Sequence, residues 1–206
     1  MTSRVNAVFE AQNPQELAAR YDEWAASYED DMDDHGGPQE ATEVLTRYVV
    51  PEARILDAGC GTGLAGQILA ARGYRQLEGL DLSPGMLREA GNKGCYTALH
   101  QQALGDALDF PSAIFDAVLS VGVFVRAHAP SSSFAELIRI TKPGGYIIFT
   151  LRPEFYVATD FKATMTTLAD AGRWRLVEAT EPFDGRYKHS PGINLQVWVY
   201  EVLRNA

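Results

Sequence analysis

Three carboxylates occur at positions where they could build one binding site. Asp57 comes two residues before a stretch that reads G-x-G-x-G from Gly59 to Gly63, Asp81 ends the next apolar run, and Asp106 follows a third. In open α/β sheets, ligands bind beyond the carboxyl ends of the strands. Because each acid follows a strand-like segment, we expect the three carboxylates to line one crevice.

The glycine loop indicates which kind of ligand the crevice takes. Glycines at alternate positions, including Gly59 and Gly61, let the backbone turn tightly and approach a ligand with no Cβ in the way. A nicotinamide-binding loop usually reads G-x-G-x-x-G and places a pyrophosphate at a helix N-terminus, whereas Asp57 would repel phosphate. The loop therefore favours a ligand with a cationic amino-acid end and no phosphate. S-adenosylmethionine, which has an ammonium group, a sulfonium and no phosphate, has this chemistry.

The two later acids suit the nucleoside part of the same ligand. Asp81, which Leu82 follows, can accept hydrogen bonds from both ribose hydroxyls. Asp106, which Ala107 follows, could bond the exocyclic amine of adenine, or it could simply cap a turn.

Apolar periodicity predicts alternating strands and helices from residue 54 onward. Strands are predicted over residues 54–57, 76–80, a third ending near 105, 115–121, 146–151, 174–180 and 195–203. Helices are predicted over residues 64–72, from 83, over 134–141 and over 160–171. Repeated strand–helix units imply a parallel sheet with helices on both faces. The last two strands, with no helix between them, imply an antiparallel edge.

The N-terminal segment predicts a helical extension. Asn13 can cap a helix that Pro14 begins, with Glu16 reaching back as in a capping box, and a second helix follows Gly36-Gly37-Pro38. An aromatic stripe on the first helix ends at Tyr28, which could pack the helix on the sheet, contact the cofactor, or do both. The predicted parts of one structural unit are a helical lid over residues 1–50 and an α/β domain over residues 51–206.

The motifs resemble those of the class I S-adenosylmethionine-dependent methyltransferases. Residues 57–63 match the family's glycine motif, Asp81 its ribose acid, Asp106 the acid beside adenine, and residues 142–145 the turn into the fifth strand. The resemblance covers roughly residues 54–151. It implies an α/β, Rossmann-like seven-stranded sheet of order 3-2-1-4-5-7-6, with the last strand antiparallel and helices on both faces. The predicted cofactor contacts are Tyr28, Asp57, Gly59, Cys60, Gly61, Asp81, Leu82, Met86, Asp106, Ala107 and Val121.

A narrower resemblance is to the methyltransferase-like proteins named after the Williams–Beuren region. It rests on the Tyr-Asp-x-Trp-Ala-x-x-Tyr pattern of residues 21–28 and on residues 120–124, 127–130 and 140–145. Arg126 departs from the small or aromatic residue expected before the histidine. The activity of that group is poorly defined, so this resemblance adds little about the substrate.

Methyl transfer needs alignment of the acceptor and exclusion of water, and it needs a base only if the acceptor carries a proton. His128, in the loop after the fourth strand, is the candidate base, with a plain loop histidine as the alternative. Tyr187, His189 and His35 are interpreted as surface residues, and His100 has no assigned role.

Two cofactor candidates have structural alternatives. Met86 could pack against adenine or fill the core, and Cys60 is interpreted as a small loop residue rather than a catalytic thiol.

Residues 120–124 lack the Asn-Pro-Pro-Tyr type motif of enzymes that methylate nucleobase or amide nitrogens. They also lack the aspartate that begins the magnesium site of catechol methyltransferases. We therefore predict no metal.

Composition limits the partners. The 206 residues carry a net charge of −9, with 18 basic against 27 acidic side chains, whereas a nucleic-acid backbone needs clustered Lys and Arg. An acidic run over residues 29–34 either rims the site or is a solvated helix end. We predict no nucleic-acid partner. Cys60 and Cys95 indicate neither a disulfide framework nor a zinc site. No signal-peptide or membrane-spanning run occurs, so we predict a cytoplasmic protein with no membrane partner.

The favoured hypothesis is an enzyme that methylates oxygen, nitrogen or sulfur of a small organic molecule. The alternatives are a non-catalytic binder of the same cofactor that acts through a partner, a nucleotide-dependent oxidoreductase, and a protein methyltransferase with an open groove.

Overall fold

The computed structural model describes residues 3–32, 36–187 and 192–204. The strands are β1 (Arg54–Ala58), β2 (Gln76–Asp81), β3 (Ala98–Gln101), β4 (Phe115–Ser120), β5 (Thr141–Leu151), β6 (Trp174–Ala179), β7 (Phe183–Asp184) and β8 (Asn194–Val202). The helices are α1 (Ser3–Phe9), α2 (Pro14–Trp24), α3 (Tyr28–Met32), α4 (Gly37–Leu45), α5 (Leu64–Ala71), α6 (Pro84–Asn92), α7 (Ser133–Ile140), α8 (Pro153–Ala158) and α9 (Phe161–Asp170). A 3-10 turn (Ala25–Ser27) joins α2 to α3. Across these residues no helix combines the length and apolar character that crossing a membrane requires.

One mixed sheet organises the chain. Its strands lie in the order β3-β2-β1-β4-β5-β8-β6, and β7 pairs with β8. The neighbours from β3 to β5 are parallel, while β8 is antiparallel to both β5 and β6. The predicted fold class and arrangement are confirmed. The predicted count of seven strands is wrong, because Phe183 and Asp184 pair with the start of β8 and form one more strand.

Helices bury both faces of this sheet. In β1, Ile55 packs with residues of α4 and α5, whereas Leu56 packs with residues of α7 and α9. Successive side chains of a strand point to opposite faces, so strands covered on both sides are apolar along their whole length. This is why β1 and β4 are near-continuous apolar runs, with Ala117, Val118 and Leu119 fully buried.

The predicted N-terminal lid divides into two parts. The apolar side of α4, including Val44 and Leu45, is buried in the core against α5 and the sheet. The helices α1 to α3 instead form a separate small cluster, with Leu17 and Trp24 buried against Leu82 at the carboxyl edge of the sheet. The covering segment is therefore α1 to α3, of which α1 was not predicted. The division at residue 50 stays a prediction.

Polar contacts tie the covering segment down. Asn13 caps α2 as predicted, since its Oδ1 accepts a hydrogen bond from the Glu16 N–H at 2.8 Å. The Glu16 carboxylate accepts from the Gln12 N–H rather than from Asn13, so the predicted capping box is only half formed. Farther along α2, Oδ1 of Asp22 accepts from the N–H of Gly85 at 2.6 Å, at the start of α6. This contact places α2 beside the end of β2.

The strand β5 begins before the predicted residue 146. Thr141 pairs with Phe115 and Tyr146 with Ala117, so the Lys-Pro-Gly-Gly segment bulges out of the ladder. Gly145 permits the close approach, because a Cβ there would lie 2.5 Å from the carbonyl oxygen of Asp116. The segment is thus an irregular strand entry rather than a separate turn.

Candidate active site

A crevice runs along the carboxyl ends of β1, β2 and β4, under α1 to α3. Its two adjoining cavities share walls from Tyr21, Tyr28, Gly59, Gly61, Val121, Gly122 and His128. One cavity, which we call the Asp81 end, is also lined by Asp81, Leu82 and Met86. The other, which we call the Arg152 end, is also lined by Asp57, Cys60 and Arg152. The structure therefore brings together the predicted glycines, the first two acids and the candidate base.

The loop between β1 and α5 presents bare backbone to this crevice. Gly59 has φ +81°, and a Cβ there would lie 2.3 Å from Cγ2 of Val123. Gly61 has φ +54°, and a Cβ there would meet nothing within 4 Å. Only glycine adopts these conformations readily. The empty space in front of Gly61 is a cradle that any side chain would begin to fill.

Asp81 lies at the end of β2 and is 6% exposed. Its Oδ2 accepts a hydrogen bond from the Gly61 N–H, and its Oδ1 accepts one from the Ser83 N–H, each at 2.9 Å. Burial raises the pKa of Asp81 to about 6, against the lowering effect of these bonds. A carboxylate has about four lone-pair sites. Asp81 therefore keeps acceptor capacity for two further donors such as vicinal hydroxyls.

Asp57 lies at the end of β1 and is 2% exposed. The hydroxyl of Tyr96 donates to its Oδ2 at 2.6 Å. Burial raises the pKa of Asp57 to about 7, although the Tyr96 bond lowers it, and the nearby Asp81 charge raises it further. A cationic ligand group beside this carboxyl would favour its ionised form. Binding of a cationic group here would therefore ionise the Asp57 carboxyl.

The sequence analysis missed Tyr96, which lies between α6 and β3. Its ring occupies a slot beside α5, where a Cβ on Gly66 would lie 2.3 Å from the Tyr96 hydroxyl oxygen. Glycine inside a helix costs about 0.5–1 kcal/mol relative to alanine, so Gly66 was an available signal that something packs closely there. It did not indicate which residue.

At the Asp81 end, the structure places some predicted contacts and not others. Leu82 and Met86 both line the cavity, and Met86 is 1% exposed. Residues 102–104 complete the wall. Asp106 and Ala107 are exposed and line neither cavity. The reason is that β3 ends at Gln101, before the predicted end near residue 105, so the residues directly after it reach the crevice instead.

His128 lies in the wall that both cavities share. Its Nδ1 is 2.8 Å from the carbonyl oxygen of Arg126, and its Nε2 is 2.7 Å from the hydroxyl of Tyr21. Because a carbonyl only accepts, Nδ1 carries the proton and Nε2 accepts from Tyr21. Burial lowers the pKa of His128, although the Arg126 contact raises it. The imidazole is therefore neutral near pH 7, with a basic nitrogen joined to the crevice through a hydroxyl.

We expect His128 to be neutral at pH 7 and protonated on Nδ1. Nitrogen-resolved NMR of the imidazole should show this tautomer and a titration below the ordinary histidine pKa of about 6.5. Replacing Tyr21 by phenylalanine removes the donor that stabilises the neutral form, so the pKa of His128 should rise toward its ordinary value. The control is His100, which bonds Glu78 and lines neither cavity, so its NMR signals should be the same in the variant and in the wild type. An unchanged His128 titration in the Tyr21→Phe variant would contradict this assignment.

The aromatic stripe both packs and faces the crevice. Trp24 is 2% exposed and donates through Nε1 to Asp31 at 2.8 Å. Tyr28 lies edge-on to Trp24, with ring centroids 4.8 Å apart, and lines both cavities. Since Tyr21 is stacked on the same tryptophan, the three rings form one layer over the crevice. Tyr28 as a cofactor contact stays a prediction.

The remaining cysteine, histidine and tyrosine candidates differ in whether they line the crevice. Burial raises the pKa of the Cys60 thiol well above its ordinary value, which supports its interpretation as a small loop residue. His100 bonds Glu78 at 2.9 Å and lines neither cavity. Tyr187, which was interpreted as a surface residue, is instead partly buried and lines the Arg152 end. His35 and His189 lie outside the described residues.

No cluster of three His, Cys, Asp or Glu side chains in the described ranges could hold a metal, and a metal-free reaction stays a prediction.

The arrangement fits S-adenosylmethionine. Asp81 offers carboxylate oxygens to ribose hydroxyls, and Asp57 offers a carboxyl to an ammonium group. Gly61 leaves the backbone uncovered between them, and residues 57–63 contain no cationic side chain that would suit a phosphate. The distribution of acids and glycines thus favours a cationic nucleoside over a dinucleotide.

Comparison with known proteins points the same way. Residues 56–149 match a family model described as Methyltransferase domain. The chain is 38% identical over 163 residues to human Methyltransferase-like protein 27, and the alignment covers 75% of this chain and 66% of that protein. It is 39% identical over 102 residues to Malonyl-[acyl-carrier protein] O-methyltransferase of Serratia marcescens, and this alignment covers 48% of this chain and 38% of that protein. The chain therefore spans about two thirds of the first relative and well under half of the second.

A solved structure shows the same fold. It is Burkholderia thailandensis 1,6-didemethyltoxoflavin-N1-methyltransferase with bound 1,6-didemethyltoxoflavin and S-adenosylhomocysteine. The TM-score is 0.66 at 18% identity, over 94% of this chain and 92% of that chain. Sheet order, glycine cradle, buried acids and family match agree. The chain belongs to the class I S-adenosylmethionine-dependent methyltransferases, and S-adenosylmethionine is its cofactor.

Proposed function

We propose that this protein transfers a methyl group from S-adenosylmethionine to an oxygen, nitrogen or sulfur atom of a small organic molecule. The observation that carries the proposal is the cover over the Arg152 end. Phe9 of α1, Tyr21 of α2 and Tyr187 of the loop before β8 line this cavity together with the cofactor loop. A covered cavity admits a small molecule, whereas a protein methyltransferase needs an open groove for a peptide. In this proposal α1 to α3 act as the lid.

The chain's own contribution is to position the acceptor and exclude water. S-adenosylmethionine, when bound, supplies a methyl carbon that a positive sulfur activates. The apolar side chains of Val121 and Val125 line the Arg152 end, which keeps water from competing with the acceptor. Where the acceptor carries a proton, His128 removes it: the Tyr21 proton moves to Nε2, and the acceptor proton moves to the Tyr21 oxygen.

Location and partners follow from charge and cysteine chemistry. Both cysteines are free thiols, as is usual in reducing compartments, which supports a cytoplasmic protein. The excess of 27 acidic over 18 basic residues disfavours a nucleic-acid acceptor.

Titration calorimetry followed by a labelling assay tests the proposal. We expect S-adenosylmethionine and S-adenosylhomocysteine to bind with micromolar affinity and NADH not to bind. Incubation with methyl-labelled donor and a metabolite extract should place the label in a product of low molecular mass. Label in protein would favour a protein methyltransferase, and cofactor binding without turnover would favour a non-catalytic binder. A well-folded protein that does not bind S-adenosylmethionine would overturn the proposal.

A further inference from the structure

We infer that the methyl acceptor carries a carboxylate group, which pairs with Arg152, on an apolar body. This inference rests on the proposed function, because it identifies the class of molecule that the Arg152 end receives. The carrying observation is that Arg152 is the one cationic side chain among the described residues that line this mostly apolar and aromatic cavity.

The walls of the Arg152 end set the character of the acceptor's body. Side chains from four parts of the chain meet there. Most of those that carry no charge are apolar or aromatic, such as Val8, Phe9, Leu64, Val125 and Ile193, and Thr62 is a polar exception. Burial of apolar surface on binding is favourable. A ligand with a substantial hydrocarbon or aromatic part is therefore favoured over a uniformly polar one.

The charged groups of the same cavity have separate tasks. Asp31 accepts a hydrogen bond from Trp24 and pairs with Arg4 at 3.2 Å, so its charge is used to hold the covering segment. Asp57 bonds Tyr96 and faces the cofactor loop. Within the described ranges that line this end, Arg152 is the one cationic side chain, since His128 is neutral. The ion pair that Arg152 makes with a described residue is with Glu154, which does not line the cavity.

Arg152 is held in place from outside. It is the residue after β5, and its side chain is 32% exposed. Its Nε and Nη2 both donate to Oε1 of Glu154, at 3.0 and 2.8 Å, and the Glu154 side chain is 59% exposed. That contact uses one edge of the guanidinium. The other edge, formed by Nη1 and the second N–H of Nη2, has no hydrogen-bond partner in the described part of the chain.

This remaining edge has the geometry that a carboxylate needs. Two parallel N–H groups of a guanidinium match the two oxygens of a carboxylate. A phosphate dianion would need further donors to balance its charge, and the cavity walls described above supply no second cation. A neutral polar group would leave the cation without compensation on the cavity side. A monoanionic carboxylate therefore fits the charge and the shape together.

The test uses protein saturated with S-adenosylhomocysteine, so that the cofactor end is filled. Two carboxylates, 3-phenylpropanoate and octanoate, and their primary amides are titrated by calorimetry. We expect each carboxylate to bind about tenfold more tightly than its amide, which is one good charge-assisted bond. In R152Q this preference should fall to about twofold or less. The control R126Q removes the same charge from an exposed loop residue near the crevice and should keep the full preference.

Two further readouts separate binding from a structural role. R152Q should keep the wild-type affinity for S-adenosylhomocysteine and nearly the wild-type unfolding temperature, because the Arg152–Glu154 pair that it removes is largely exposed and such pairs add little stability. Equal binding of amides and carboxylates, binding of neither series, or an R152Q variant that keeps the preference would each overturn the inference while leaving the methyltransferase assignment intact. Failure of S-adenosylhomocysteine to bind the wild type would instead contradict the proposed function, and this inference would fail with it.

Discussion

Replacing Asp81 by asparagine should weaken S-adenosylmethionine binding by about 2–4 kcal/mol, or roughly thirty- to a thousandfold. The carboxylate accepts from the N–H groups of Gly61 and Ser83 and keeps acceptor sites for the ribose. An asparagine has one acceptor oxygen, and its NH₂ group would face one of these two backbone donors. Both the ribose bonds and the shape of the loop would suffer. Calorimetric titration with S-adenosylmethionine and S-adenosylhomocysteine measures the effect.

The matched control is Asp106→Asn. Asp106 resembles the acid beside adenine by sequence, but it is exposed and lines neither cavity. We therefore expect its substitution to change affinity by less than about twofold, as is usual for exposed surface positions. If Asp106→Asn weakened binding as much as Asp81→Asn, the loop after β3 would have to move on binding. If neither variant lost affinity, Asp81 would not be the ribose anchor.

Binding of S-adenosylmethionine should depend strongly on pH because of Asp57. Burial raises the pKa of this carboxyl to about 7 and that of Asp81 to about 6, and the ligand's ammonium favours the ionised forms. Affinity should therefore rise as pH increases from about 5.5 to 7, approaching tenfold per pH unit. It should decline above about pH 8 as the ligand's α-amino group loses its proton. In Asp57→Asn, binding should be much weaker and its rise near pH 7 should disappear.

The contribution of Asp57 to the stability of the ligand-free protein should decrease with rising pH, whereas cofactor affinity increases. Between the ordinary pKa of 3.8 and the folded value of about 7, the native state binds more protons at Asp57 than the unfolded state does. The contribution of Asp57 to the free energy of unfolding therefore falls as pH rises through this range and levels off above it. Asp57→Asn should unfold at a higher temperature than the wild type at pH 8 and at a similar temperature near pH 4. Thermal unfolding by calorimetry at the two pH values measures this difference.

A conservative variant distinguishes these effects from simple damage. Tyr96→Phe removes the hydroxyl that donates to Asp57 at 2.6 Å, so the pKa of Asp57 should rise and the pH dependence of binding should move to higher pH. The affinity difference between this variant and the wild type should therefore be largest below pH 7 and smaller near pH 8. A Tyr96→Phe variant with an unshifted profile, or an Asp57→Asn variant that keeps the wild-type rise, would count against a titrating Asp57.

The sheet could be predicted because its evidence is local. Strands buried on both faces are apolar runs, and helices recur between them, so the order of elements and the antiparallel last strand followed from the pattern. The two-residue β7 could not be predicted, since Phe183 and Asp184 become a strand only by pairing with β8. The ends of β3 and β5 were misplaced for a related reason. The residues that continue a ladder are chosen by the neighbouring strand, as Thr141 is by Phe115.

For the site, the cofactor could be predicted from local sequence patterns. Asp57, the glycines after it and Asp81 are adjacent to strand ends, and parallel strands bring their carboxyl ends to one edge whatever the rest of the chain does. Contacts between distant segments could not be predicted, because they form only when the chain folds. Tyr96 reaches Asp57 across 39 residues and Tyr21 reaches His128 across 107, while Asp106 turns out to face solvent. Arg152 becomes a candidate anchor only because α1 to α3, Tyr187 and Ile193 line the same cavity as Arg152. Side chains that meet through packing leave no mark in local spacing, which is why the acceptor end emerged only from the folded chain.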